Sequence, residues 1–440
     1  MEKYTIRESV VDSPTFSNMK QDTPTVQPIP NAPWRRLKLW ALPLLALTLP
    51  FGHGAVTVAM VIVLLTTILN SNAQPWIKEF RLWYLLPVAF LVLHVVGMAY
   101  SDNRSFGLFD IQVKSGLLIL PICVMMHGRL SAQDWQRFVR AFLAGLLLAF
   151  VACLLPAIRT WSATGSLHGF FYQDFSRFLH PSYFAWYADT AVLLLWLNRA
   201  DPILKGALRR SLLLMLSLLV FLCNSKAGFA GWFFVTALGA LVTGLKTKSF
   251  RLFVVSLLHI LIFGLAIWKV IPPEENRVMA MQQNLSQDTI SGSDGRSTSA
   301  RLHVWSAAWS LIQEAPVTGY GTGDVKDVLL KRYAERGLIS AVEKKLNAHN
   351  QFLQSWVALG LSGVLLLLAM LAGATWRFRR DPLFAGFLLL TFFNFLVESM
   401  LEIQAGVVFW ALFYSVFLNL QSPEGSYEDH QPGRRPSPVH

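Results

Sequence analysis

When apolar runs of bilayer-spanning length follow one another with only short polar breaks, a chain has little choice of fold. In hydrocarbon every backbone N–H and C=O must be satisfied within the protein, so spanning elements are helices or closed barrels, and unbroken apolar runs are helices. Twelve such segments can be read here, at 38–53, 55–70, 83–100, 108–127, 138–157, 182–198, 211–224, 228–245, 251–271, 353–375, 383–399 and 404–420. Several are shorter than the roughly 20 residues of a perpendicular span. The pair that meets at Pro50–Gly54 reads either as two spans or as one re-entrant hairpin. The expected fold class is an all-α polytopic membrane protein with about 12 transmembrane helices and one large helical loop. Composition agrees. Charged residues are 15% and hydrophobic residues 54%, with a mean hydropathy of +0.44, too few charges to cover a water-facing surface.

A net charge of +12 would suit a nucleic-acid partner if it were gathered on one face. Instead the cations fall in small clusters between the apolar runs. With a cytoplasmic N-terminus, fourteen Lys and Arg residues, from Lys78 and Arg81 to Arg379 and Arg380, fall in inside loops. The short outside loops carry four, namely Arg104, Arg159, Arg177 and Lys226. That is the bias of the positive-inside rule, and it excludes nucleic acid as the partner. Nine spans then precede the long loop and place it outside.

The expected organisation is a disordered cytoplasmic tail at 1–33, spans at 34–271, the outer loop at 272–352, spans at 353–420 and a second disordered tail at 421–440. The loop holds nine basic and nine acidic residues, so it is no polybasic lipid patch. Gln283 to Ser299 is polar and irregular. From Ser299 to Ala315 the spacing of Leu302, Trp305, Trp309 and Ile312 predicts an amphipathic helix that Pro316 ends. A Gly319-Tyr320-Gly321-Thr322-Gly323 turn follows, and then a charged helix from Asp324 to Arg336. No internal repeat is visible, which argues against a transporter built from inverted halves.

Chemistry should lie where polar residues meet the outer face. His349, in Ala348-His349-Asn350-Gln351-Phe352-Leu353-Gln354, opens the tenth span. An imidazole can take a proton from a hydroxyl and pass it on; the plainer reading is an interfacial His beside a helix that Asn350 caps. Arg301 lies on the apolar side of the loop helix, as a phosphate-binding fork or a snorkelling anchor. Lys226 is the lone cation of a very short outer turn, and Arg177 and His180 precede the sixth span, where a capped helix start explains them as well. Asp110 and Lys114, spaced i, i+4, read as a structural pair. Glu398 and Glu402 flank the last outer turn, either balancing cations, serving as an alternative base, or simply solvated. The cysteines 123, 153 and 223 form neither a disulfide framework nor a metal spacing. The glycine turn lacks the Gly-Lys-Ser/Thr of a P-loop, no residue set has metal-ligand spacing, and no Gly-x-Ser-x-Gly elbow is present. No cofactor is expected.

The order of these features resembles the O-antigen ligase/O-antigen polymerase superfamily of bacterial envelope glycosyltransferases. The resemblance rests on Arg301 to Trp309, Glu314-Ala315-Pro316, the glycine turn, Ala348 to Gln354 and Leu359-Gly360-Leu361-Ser362-Gly363. It covers about Asn224 to Gly363, with the helical layout covering nearly the whole chain. It implies a GT-C-like, metal-independent membrane enzyme of the bacterial inner membrane, with its active site on the periplasmic side. The implied donor is an undecaprenyl diphosphate-linked glycan and the acceptor lipid A–core or another glycan, both reached from membrane lipid. His349 would be the base and Arg301 the diphosphate ligand. The family's usual Ser-Arg pair after the seventh span is here Ser225-Lys226, which keeps the charge but loses the fork, so that role could pass to Arg177. His180, Asn350 and Glu398 are the supporting candidates. A polymerase, a protein O-oligosaccharyltransferase and, from a different class, a flippase of lipid-linked sugar are the alternatives.

Overall fold

A computed structural model describes residues 33–69, 82–198, 201–248 and 298–421, with scattered positions between 254 and 269. The tails at 1–33 and 421–440, the expected ninth span at 251–271 and the polar stretch Gln283–Ser299 lie wholly or largely outside the described residues. The helices, in chain order, are α1 (Pro33–Thr48), α2 (His53–Leu69), α3 (Leu82–Gly97), α4 (Arg104–Lys114), α5 (Gly116–His127) and α6 (Ala132–Thr164). They continue with α7 (Tyr172–Phe175), α8 (Pro181–Leu197), α9 (Gly206–Cys223), α10 (Lys226–Thr247), α11 (Thr298–Glu314), α12 (Val325–Glu335) and α13 (Ile339–Glu343). The last are α14 (Gln351–Leu368), α15 (Ala374–Arg377), α16 (Pro382–Val397) and α17 (Gln404–Leu420). No strand occurs among the described residues.

Helix occupies each expected apolar segment that the description reaches. Among the described residues six stretches are long and apolar enough to cross a membrane: Leu82–Tyr100, Arg104–His127, Ala132–Thr164, Gly206–Cys223, Lys226–Thr247 and Gln351–Arg377. Four apolar helices are shorter, among them Pro382–Val397 and Gln404–Leu420. Among the described residues length and apolarity therefore support six crossings by themselves, where the sequence reading expects twelve over the whole chain.

A helix that is apolar on every side belongs inside a bundle. In α8 every residue from Pro181 to Leu195 is buried, and in α17 every residue from Ala405 to Asn419. The two are joined by aromatic packing, with Tyr187 stacked on Phe409 at 4.0 Å and Trp186 edge-on to the same ring at 4.7 Å. Around this centre α5 packs on α17, α9 and α10 on α8, and α1 on α6. At the α1–α6 crossing Gly145 brings backbones together, since a Cβ there would sit 2.2 Å from the Leu47 carbonyl.

The 33 residues of α6 span about 50 Å, more than the roughly 30 Å of hydrocarbon. The excess leaves the bundle at its exposed last turns, and residues 165–180 return from it to the start of α8. This end, which also carries residues 298–350, is the loop end of the bundle. Here the first turns of several helices meet at one level: His53 of α2 bonds Gln404 of α17, Gln351 of α14 bonds Glu402, and Tyr183 of α8 bonds the Ser399 carbonyl.

The loop helix α11 forms where the periodicity places it, but its buried face is shifted. Val304, Ala307, Ala308, Leu311 and Ile312 are buried, whereas Leu302 and Trp309 are about half exposed, at 52% and 47%. The helix packs against both α12 and α14, and two alanines allow the close approach that a pattern of large residues would not. Trp309 instead leans edge-on against Trp356, with ring centres 5.8 Å apart.

Candidate functional site

His349 occupies a backbone conformation that a histidine rarely adopts, with φ +46°. Its neighbours fix it there. The His349 N–H donates to Asn347 Oδ1 at 3.0 Å, and its carbonyl accepts from the Trp305 indole at 3.3 Å. The next residue starts α14: the Asn350 side chain accepts from the Leu353 N–H and donates to the Leu396 carbonyl, while its own N–H donates to Ser399 Oγ. Gln351 accepts from the Leu401 N–H at 2.6 Å, and Gln354 accepts from the Ala348 N–H at 2.9 Å. The polar residues of this segment thus tie the start of α14 to the turn between α16 and α17. Strain of this kind is retained where surroundings over-determine it, as they often do at functional sites.

That turn supplies the residue that organises the site. Glu398, just past the end of α16, is 6% exposed. One carboxylate oxygen accepts from His349 Nδ1 at 2.8 Å and from the Ser399 N–H, while the other faces Arg301 Nη2 at 3.5 Å. Burial would raise the Glu398 pKa, but the hydrogen bond and charge of His349, with the charges of Arg301 and His180, outweigh it and hold the carboxyl at about 2. A carboxylate held so low is a poor base. Its service is to fix the imidazole with Nδ1–H towards the carboxylate, which leaves Nε2 as the proton acceptor. Nε2 is buried and has no hydrogen-bond partner among the described residues, and neither has Arg301 Nε. The site therefore presents an oriented imidazole nitrogen and an unused guanidinium donor beside it.

A second charged group lies under the same turn. Lys114 is fully buried between Asp110 and Glu402, reaching Glu402 at 3.3 Å. Glu402 in turn accepts from Gln351 at 3.2 Å and Gln354 at 3.5 Å. The expected Asp110–Lys114 pair is present, as part of a triad with two carboxylates to one ammonium. Neither Glu398 nor Glu402 is the solvated loop carboxylate that residue chemistry alone would allow.

The structure brings His349 and Arg301 together on Glu398, with Asn350 bound to the adjoining Leu396 and Ser399 and His180 near enough for its charge to act on Glu398. His180 also caps α8 by accepting from the Ser182 N–H at 3.4 Å. Lys226 begins α10, half-buried, beside a Ser225 hydroxyl that meets Ser182 at 3.3 Å. Arg177 is exposed on the return loop, against Cys153 of α6, and no contact joins it to Glu398 among the described residues. Two residues, buried Asp189 and half-buried Arg332, escaped the sequence reading. Asp189 lies within α8 with both carboxyl oxygens unpartnered among the described residues, and Arg332 clamps α12 to α11 through Glu314 at 2.8 Å. The interruption of an apolar run was the only available signal for Asp189. Among the described residues no group of three or more His, Cys, Asp or Glu side chains is arranged to hold a metal ion.

The glycine turn is a structural wedge. Gly360 breaks α14 with φ +65°, ψ −157°, and the backbone of the turn fills the gap. The Tyr320 and Gly321 N–H groups donate to the Val357 and Ala358 carbonyls at 2.8 Å, and Leu361 donates back to Pro316. A Cβ at Gly360 would sit 2.0 Å from the Val317 carbonyl.

Residues 211–368 match the family model described as O-antigen ligase. The matched segment supports the O-antigen ligase/polymerase superfamily that the motifs resemble. No curated protein matches it. The O-antigen ligase segment runs from α9 into α14 and includes Lys226, Arg301, the glycine turn and His349. Glu398, which joins the His349 imidazole to the Arg301 guanidinium, is supplied from outside it, as are His180 and Arg177. The chain is accordingly a helical protein with stretches long and apolar enough to cross a membrane, and it carries an O-antigen ligase segment at residues 211–368.

Proposed function

We propose that the protein is a metal-independent, inverting glycosyltransferase that moves a glycan from undecaprenyl diphosphate to a sugar hydroxyl of a lipid A–core acceptor. In this reading it lies in the bacterial inner membrane with twelve spans, both termini cytoplasmic, and the loop end facing the periplasm. The observation that carries the reading is the His349–Glu398–Arg301 arrangement, with His349 Nδ1 engaged and Nε2 free.

The acceptor hydroxyl oxygen attacks the anomeric carbon as the bond from that carbon to the diphosphate oxygen breaks on the opposite face. One displacement inverts the configuration. The hydroxyl proton passes to His349 Nε2, and Glu398 stabilises the imidazolium that forms. Arg301 meets the charge that grows on the departing diphosphate, with Lys226 and then Arg177 as further cations; fixed cations at a leaving group supply electrostatic stabilisation without reorganisation. Asn350 and His180 act by holding the turn and the start of α8 around the site.

The test is transfer by purified protein in EDTA, with undecaprenyl diphosphate glycan as donor and lipid A–core and a second lipid-linked glycan as competing acceptors. Product on lipid A–core, lost in His349→Ala, is the expected result. A ladder of longer lipid-linked glycans moves the protein to the polymerases, and transfer only to a peptide hydroxyl moves it to protein O-glycosylation. Movement of the donor across vesicles without any transfer overturns the enzymatic reading in favour of a flippase.

A further inference from the structure

The turn from Glu398 to Glu402 has two sides of different character. Glu398 faces the cations and the imidazole described above. Glu402 faces the other way, into a groove of about 510 Å³ between α2, the α4–α5 junction and the start of α17. That size lies within the roughly 300–1,000 Å³ of small-molecule sites.

The groove is graded along its length. Its rim is polar: His53 Nδ1 meets Gln404 Oε1 at 3.0 Å, Gln404 donates to Thr57 at 3.0 Å, and Gln112, Ser115 and Glu402 complete it. Gly116 packs against Val407 and Val408, which sets the α4–α5 junction level with the first turn of α17. From that level the wall turns apolar along Met60, Val61, Leu64 and Ile119. His53 and Leu64 are separated by about 16 Å of helix rise. A polar rim above an apolar slot of this length, between helices that expose Val58, Leu65 and Ile68 as a lipid-facing surface does, fits one hydrocarbon chain hanging from a polar group.

Charge decides which lipid. The carboxylate on the rim belongs to the triad in which Asp110 and Glu402 share one ammonium, so the local balance is negative. A diphosphate is repelled there, and uncharged hydroxyl groups find hydrogen-bond partners in Gln112, Ser115, Thr57 and Gln404. From this geometry we infer that the groove seats one hydrocarbon chain of a neutral, hydroxyl-bearing lipid, with the hydroxyls of its headgroup on the rim. Lipid A and polyprenyl diphosphates both carry phosphate beside their chains, so the lipid seated here is neither substrate of the transfer reading.

The experiment uses the full chain in liposomes with two photoactivatable probes, dodecyl maltoside and farnesyl diphosphate, each carrying a diazirine in its chain. The expected result is saturable maltoside labelling within 53–69 and 112–119 that excess farnesyl diphosphate does not displace. Leu64→Trp and Val61→Trp, which fill the slot, should reduce it several-fold, whereas Val58→Trp on the outward face should not. Labelling that rises without saturation, or that is no stronger at Leu64 than at lipid-facing Leu108, overturns the site, and so does better labelling by the diphosphate probe. His349→Ala should abolish transfer and leave labelling intact. Labelling without transfer in the unmodified protein removes the transfer reading and keeps the groove.

Discussion

Replacing Glu398 by Gln preserves the shape of the site and removes its central charge. The carboxylate accepts from His349 Nδ1 at 2.8 Å and from the Ser399 N–H at 3.2 Å, and it pairs with Arg301 at 3.5 Å. A hydrogen bond to a charged group contributes about 1.5–3 kcal/mol, so the variant should be destabilised by roughly 2 kcal/mol yet fold. Its catalytic effect should be larger. The amide can present its NH2 to the imidazole, which then offers the wrong nitrogen, and it no longer stabilises the imidazolium. General acid–base catalysis is worth about 10²–10⁴-fold, so kcat should fall by at least ~100-fold, or about 2.7 kcal/mol of barrier. The assay is transfer at saturating donor and acceptor, with tryptophan-fluorescence melting in nanodiscs as the folding control. A folded Glu398→Gln protein that transfers within a factor of a few of the unmodified one would refute the orienting role, and with it the argument for Nε2 as the base.

Arg301→Lys should raise the donor KM more than it lowers stability, because the charge remains and the two-pronged geometry is lost; donor titrations check this. Lowering the pH should leave the Glu398 contribution intact above its ordinary value of 4.5 and remove it as pH falls towards about 2, a loss of about 3 kcal/mol visible in the pH dependence of melting. Lys114→Met leaves Asp110 and Glu402 buried without their cation and should cost about 3–5 kcal/mol, read as lost expression or a lowered melting temperature. Gly360→Ala forces a side chain into the Val317 carbonyl at a positive φ, and should lower the yield of folded protein where Ser362→Ala does not.

The helical layout was legible because apolar length and loop charge are local properties, read residue by residue along the chain. Arg301 and His349 were legible through the order of short motifs around them. Glu398 was visible only as one of several possible partners, because its role depends on a fold that closes a separation of 49 residues to His349. Glu402 was visible in the same way, but its place beside Lys114 was not, since nothing in the spacing of Asp110 and Lys114 announces a third member. The face of α11 was misplaced by one step: large residues mark a helix face in sequence, whereas the contact with α14 selects Ala307 and Ala308 for their smallness. The glycine turn had been recognised by what it lacks, and its use as a wedge required the break at Gly360 to be seen.

That break also determines what the bilayer can do to the site. The part of α14 before Gly360 is fastened at its start to the turn that carries Glu398 and at its end to residues 316–321. The part after Gly360 belongs with the helices that face lipid. Yet Leu361, the first residue after the break, donates to the Pro316 carbonyl, so residues 316–321 are bound to both parts of the helix. The break is a splice and not a free joint: whatever moves the lower part is carried into the loop that follows α11, the helix of Arg301.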